Sequence, residues 1–341
     1  MKRIFCATLA LCLLLSGCAT VPSSENKQFT ATFLTLFDTV TSIVGFAKTQ
    51  EDFQAQAQKI HDDLYYYHQL FDIYEEYSDV ANLKTINDQA GIAPVQVEQA
   101  IIDLLQDCKD YYALTGGKVN VAMGSVLRLW HEARTDAVND PLTAALPDLQ
   151  ALQEAALHTD LDAVVIDEAA STVQITDAMV QLDVGAIAKG WAAQKVAEIA
   201  PEGMLISVGG NVCATGAKDE KGTAWVIGVQ DPDNTSSYLH TLYLTRGSIV
   251  TSGDYQRCFY VGNQRYHHII DPVTLMPSDY WRSVSVICPD SALADALSTA
   301  LFLLPLEDGK ALLAQCQAEA MWVDGNGQRY YSSGFEKMIK T

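Results

Sequence analysis

Positive charge is scarce in this chain: 22 Lys and Arg face 42 Asp and Glu, a net charge of −20. Such a surface repels a phosphate backbone, which excludes nucleic acid as a partner and leaves acidic lipid headgroups unattractive. C-x-x-C pairs are absent. With Cys6, Cys12 and Cys18 set aside, Cys108, Cys213, Cys258, Cys288 and Cys316 remain, odd in number and widely spaced. Neither a zinc site nor a full disulfide framework is indicated, and most of these thiols read as small buried hydrophobes. There is no internal repeat, no second long apolar run, and no Rossmann or P-loop glycine pattern. What is present is 49% hydrophobic residues, enough for a large core, as one big domain or two closely packed lobes.

The N-terminus carries a targeting pattern. Lys2 and Arg3 precede an apolar run, Ile4 to Leu15, of signal-peptide length and short of the roughly 20 residues that span a bilayer. Leu15-Ser16-Gly17-Cys18 has the form of a lipobox. An ordinary signal peptide or an uncleaved anchor would carry the same run; the placement of Cys18 favours lipidation. The expectation is a signal peptide over residues 1–17 and a lipidated Cys18 followed by a polar tether to residue 28. A catalytic domain over 29–341 would then be held at the extracytoplasmic face of the cell membrane.

Phe53, Ala57, Ile60, Leu64, Tyr67 and Phe71 recur at helical steps, and Val97 to Cys108 marks a second helix that ends at Gly116-Gly117. Residues 135–148 read as a surface loop. Later the texture turns to short β-branched runs: 163–167, 172–176, 205–208, 225–230, 239–245, 248–251, 258–261, 267–270 and 283–288. Helices at 186–200 and 291–304 interrupt them. Helices and mostly antiparallel strands in separate blocks predict an α+β fold.

Four local patterns carry chemistry. Asp295 and Thr299 lie one helical turn apart, so a carboxylate and a hydroxyl share a face and offer hard oxygen donors; a plain N-terminal charge on the helix is the competing reading. Leu182 to Trp191 runs from an apolar segment through Asp183 and small residues into a helix with Lys189. That would suit an anion, or be a simple turn with Asp183 as its cap. Val208-Gly209-Gly210-Asn211 ends a strand on a glycine pair, a weak phosphate signal. His267 and His268, adjacent on a strand, would point to opposite faces.

Taken in order, these stretches resemble the ApbE family of FAD:protein FMN transferases. The matching segments are TGGKVNVAMGSVLRLW (115–130), LDVGAIAKGWAA (182–193), LISVGGNVCATG (205–216), VTSGDYQR (250–257), RYHHIIDPVT (265–274) and SVSVICPDSALADALSTALF (283–302). FDTVTSI (37–43) and FDIYEEYSDVANLKTIN (71–87) match more weakly.

The resemblance implies a two-lobed α+β catalytic domain with mostly antiparallel sheets and flanking helices. Its substrate would be FAD, whose pyrophosphate is cleaved so that FMN passes to a threonine of an acceptor flavoprotein and AMP leaves. Acceptors would be Rnf- or Nqr-type membrane subunits or other exported flavoproteins. It places a divalent metal, Mg²⁺ with Mn²⁺ or Ca²⁺ as alternatives, on Asp295, Thr299 and the Ala186 carbonyl. FAD contacts fall on Phe37, Lys118, Val119, Asn120, Asp183, Lys189 and Ile270. Asp295 counts as catalytic, and His268 would accept the threonine proton. The sequence departs from the family pattern at Asn120, where an aspartate is usual, at Ala122, and at Leu275, where a glycine turn is usual. Leucine resists the positive φ that glycine takes freely, so a rebuilt loop is expected there.

Overall fold

The computed structural model describes residues 26–340; Cys18 and the expected signal peptide lie outside them. In chain order the elements are β1 (Lys27–Leu36), β2 (Thr39–Ala47), α1 (Gln50–Phe71), α2 (Leu83–Asp88), β3 (Val95–Gln96), α3 (Gln99–Leu114), α4 (Gly124–Asn139) and α5 (Leu149–Ala156). Then come β4 (Val164–Asp167), β5 (Thr172–Ile175), α6 (Ala188–Ile199), β6 (Met204–Val208), β7 (Asn211–Ala214), β8 (Trp225–Gln230), β9 (Tyr238–Leu244) and β10 (Gly247–Gly253). The chain closes with β11 (Cys258–Val261), β12 (Gln264–His267), β13 (Ser283–Cys288), α7 (Ser291–Phe302), α8 (Leu306–Leu313), β14 (Glu319–Val323) and β15 (Arg329–Tyr331).

An antiparallel eight-stranded sheet, ordered β1-β2-β6-β7-β10-β13-β14-β15, is the frame, so the fold is α+β as expected. Its interior strand β13 is buried along its whole length. On one face lies α7, an almost wholly buried helix whose Ala294, Leu297, Ala300 and Leu301 are fully enclosed; α6 and α1 continue that layer. On the other face the β8–β9 ribbon brings Trp225, Ile227 and Leu242 onto Ile249, Ile287 and Met321. Burying each such side chain contributes about 1.5–3 kcal/mol. The smaller helical lobe, with α3 and the β3-β5-β4 sheet, shares the α7 core, while α4 and α5 pack against the β11–β12 hairpin.

Three sequence expectations shift. β1 begins at Lys27, paired with Ala47, so residues 27 and 28 belong to the sheet rather than the tether. Helix α4 runs to Asn139 because Ala137 is buried in the cluster beneath it, and the residue before Pro141 turns extended. The strand expected at 267–270 stops at His267, since its partner β11 begins at Cys258 and offers residues 268–270 no ladder.

Candidate functional site

The two lobes enclose a cleft of about 680 Å³, within the range of about 300–1,000 Å³ usual for small-molecule sites. Phe37, Lys118, Val119, Asn120, Asp183, Ala186, Lys189, His268, Ile270, Asp295 and Thr299 all line it, although 262 positions of sequence separate the first from the last (299 − 37).

The floor is α7. Its N-cap is Asp290, whose Oδ1 accepts the Leu293 N–H at 2.9 Å, so Asp295 is not a capping charge. Asp295 sits more than a turn inside the helix, 5% exposed, and its Oδ2 accepts the Gly190 N–H of α6 at 2.8 Å. That contact needs a glycine. A Cβ at position 190 would stand 2.5 Å from Asp295 Cβ and closer still to the Ser291 carbonyl oxygen. Burial pushes the Asp295 carboxyl above the usual carboxylate range, against the pull of Lys189, the Gly190 N–H and Asn211. Asn211 is itself buried beside this carboxylate.

A desolvated carboxylate with one backbone N–H donor is a place a cation would stabilise. The oxygens available are the Asp295 carboxylate, the Thr299 hydroxyl and the backbone carbonyl of Ala186. No group of three or more His, Cys, Asp or Glu converges among the described residues. The donor set therefore fits Mg²⁺ or Ca²⁺ chemistry rather than a nitrogen–sulfur site.

The second wall is the turn into α6. Asp183 is tied to the helical lobe by its N–H to the Val121 carbonyl, and its Oδ1 accepts the Gly185 N–H at 2.8 Å. It closes the turn rather than capping the helix, whose N-cap is Ile187. Burial raises its carboxyl, opposed by Arg257, His131 and Lys189. The Lys189 ammonium donates to the Gly185 carbonyl and its charge favours the ionised form of both acids.

Lys118 is not free. Its Nζ pairs with Asp271 at 2.5 Å. Burial works to raise the Asp271 carboxyl, yet Lys118 and the Thr274 and Val273 N–H groups outweigh it and hold it below the usual range. Asn120, the departure from aspartate, serves the backbone at both ends: its Nδ2 donates to the Thr159 carbonyl and its Oδ1 accepts the Ala122 N–H. At the other departure, Leu275 itself adopts a positive φ, +61°. Its N–H bonds the Asp271 carbonyl, its own carbonyl accepts the Trp130 indole N–H at 3.0 Å, and its side chain packs with Trp130 and Ile270. Packing and two hydrogen bonds offset the strain of roughly 1–2 kcal/mol.

The two histidines divide their roles. His267 is buried; its Nδ1 accepts the Ile269 N–H, so its Nε2 carries the proton and donates to the Ser278 carbonyl at 2.6 Å. His268 opens into the cleft. The surrounding walls, with Arg257, His267, Lys189 and Arg134, push its imidazole well below its ordinary 6.5, so the neutral ring is its resting form.

Sequence reasoning missed the rim. Arg134 donates to the His131 ring at 3.2 Å, and burial together with Arg257 pushes the Arg134 guanidinium below its ordinary value. Neither Arg134 nor Arg257 meets a carboxylate among the described residues, in a chain where carboxylates outnumber cations nearly two to one. His131 and Arg134 stand three apart on α4, and that spacing was the available signal. Tyr74, His68 and Asn211 also line the cleft unforeseen.

Fold and cleft together define a class: an α+β enzyme fold whose site sits between a sheet-backed helix and a basic rim. Residues 37–322 match the sequence profile of the ApbE family, and the chain belongs to that family. A protein from Treponema pallidum named FAD:protein FMN transferase is 39% identical over 255 residues, covering 70% of this chain and 68% of its own length. A Klebsiella pneumoniae protein of the same name is 31% identical over 278 residues, covering 77% and 84%. The crystal structure of the ApbE protein of Thermotoga maritima superposes with a TM-score of 0.81 at 28% identity, covering 92% of this chain and all of that one. The Vibrio cholerae flavin transferase ApbE shares the fold, with a TM-score of 0.76 at 23% identity.

Proposed function

We infer that this protein is an FAD:protein FMN transferase that attaches FMN through a phosphoester to a threonine of an acceptor flavoprotein and releases AMP. The observation that carries the reading is the meeting of Asp295 and Thr299, Asp183 and Lys189, and His268 in one cleft of dinucleotide size. The names of the relatives support it.

The residues divide the work as follows. The Asp295 carboxylate, the Thr299 hydroxyl and the Ala186 carbonyl would hold a divalent cation, Mg²⁺ in the first instance. When bound, that ion offsets charge on the phosphoryl oxygens as the pyrophosphate breaks. Lys189 and Arg257 draw the anionic substrate in and hold it against the floor. The apolar wall of Ile270, Trp130 and Phe259 suits a planar ring. His268 accepts the hydroxyl proton as the threonine oxygen bonds to the FMN phosphorus and the bond to the AMP oxygen breaks. Electrostatics and positioning carry most of the barrier lowering, and little covalent chemistry is asked of the protein.

The acceptor would be an exported or membrane electron-transport subunit of Rnf or Nqr type. A lipidated Cys18 at the extracytoplasmic face would keep the enzyme near it by raising effective concentration. Incubation with FAD, Mg²⁺ and a threonine-bearing acceptor, followed by mass spectrometry, is the test. The FMN mass on the threonine is expected, while FMN and AMP without a modified acceptor would replace this reading with FAD hydrolysis.

A further inference from the structure

The turn between β1 and β2 puts an aromatic residue where turn chemistry disfavours one. Leu36 pairs with Thr39, leaving a two-residue loop of Phe37 and Asp38, both at φ +51°. A loop of this type strongly prefers Asn-Gly, because both residues take the left-handed conformation. A bulky residue held there persists only where its surroundings over-determine it. Phe37 is one wall of the cleft.

What holds it is a chain of side chains from outside the turn. The Phe37 N–H donates to His68 Nδ1 at 3.3 Å, and the two rings meet edge to face with centroids 5.5 Å apart. Because Nδ1 is the acceptor, the proton of the neutral ring is on Nε2, which faces the Tyr77 hydroxyl at 3.4 Å. The Tyr77 hydroxyl donates in turn to Asp72 Oδ2 at 2.8 Å. The other Asp72 oxygen accepts the Tyr74 and Glu75 N–H groups, fixing the loop that follows α1. On the far side of the turn, the Gly209 N–H bonds the Val40 carbonyl at 3.0 Å.

We propose that His68 is a positioning residue: through the Asp72–Tyr77–His68 chain it locks the Phe37 ring as the platform on which a planar ring of the dinucleotide stacks. This rests on the FAD reading above. His68 touches neither the metal ligands nor His268, so its loss acts on substrate affinity and leaves the chemistry of bound substrate intact.

Three variants and two measurements test this. His68→Phe keeps a ring against Phe37 but has no acceptor; His68→Asn keeps an acceptor at the Nδ1 position; Tyr77→Phe cuts the chain one step further out. Without FAD, hydrogen exchange at the Phe37 amide is expected to quicken about tenfold in His68→Phe and to stay near wild type in His68→Asn. With FAD in EDTA, quenching of flavin fluorescence is expected to give roughly tenfold weaker binding for His68→Phe, within about threefold of wild type for His68→Asn, and an intermediate loss for Tyr77→Phe. FMN transfer at saturating FAD should be unchanged in all three. Equal FAD affinity in His68→Phe and wild type, or a His68→Asn variant as weak as His68→Phe, overturns the proposal. Wild-type protein that fails to bind FAD both in EDTA and with Mg²⁺ overturns the functional reading, while the exchange measurement still decides whether His68 holds the turn.

Discussion

Replacing Asp295 by Asn separates a cation site from a structural acid, because the two roles predict opposite changes in stability. The Asp295 carboxylate is buried, so its charged form is disfavoured in the fold and its pKa is raised. A raised acid pKa means that the ionised group costs stability at neutral pH when no cation is present. Asparagine has nearly the same shape and its amide oxygen can still accept the Gly190 N–H. The metal-free variant should therefore melt at or above the wild-type temperature. Adding Mg²⁺ reverses the order. At 100 times its Kd, a ligand that binds only the native state stabilises it by about 2.7 kcal/mol. For a domain of this size that is a shift of about 5 °C in Tm. Wild type should show that shift and Asp295→Asn little of it, in paired thermal scans with EDTA and with Mg²⁺. A variant that melts several degrees lower in EDTA, or that keeps the full Mg²⁺ shift, would refute the assignment.

The remaining predictions are of three kinds. His268→Ala should slow FMN transfer by about 10²–10⁴-fold, the usual worth of a general base, while FAD affinity by fluorescence stays within a few-fold. Gly190→Ala drives a methyl into the Ser291 carbonyl and the Asp295 stem where backbone cannot yield, and should cost about 1–3 kcal/mol in denaturant melts and weaken the Mg²⁺ shift. Burial lowers the His267 pKa, with the Ser278 carbonyl pulling the other way. The neutral ring is thus favoured in the fold, and below pH about 6.5 the unfolded chain takes up the proton first. Stability should be full above that pH and fall with acidification, and His267→Gln should flatten the pH dependence of Tm between about 5 and 6.5.

The main elements were legible where periodicity was strong. α1 carries its apolar stripe at helical steps and α7 falls within the helix read at 291–304, while β8, β11 and β13 match the short β-branched runs residue for residue. The misses came where a neighbour far away in sequence decides. Whether residues 268–270 continue a strand depends on where β11 starts, and the end of α4 depends on what buries Ala137. Leu275 is instructive in another way. Its identity argued against a positive φ, yet the Trp130 indole and the surrounding apolar cluster hold it there.

The sequence by itself determined the α+β class, the family, and the residue types at the candidate site, because spacing along one helix or one turn is local information. It placed Asp295 and Thr299 on one helical face and Asp183 beside a helix start. Only the tertiary structure decided that these face one cleft, that Asp295 is desolvated against Gly190, that Lys118 is spent on Asp271, and that Arg134 and Arg257 are not. Burial and charge pairing depend on elements distant in sequence, and a carboxylate's chemistry is set by what surrounds it.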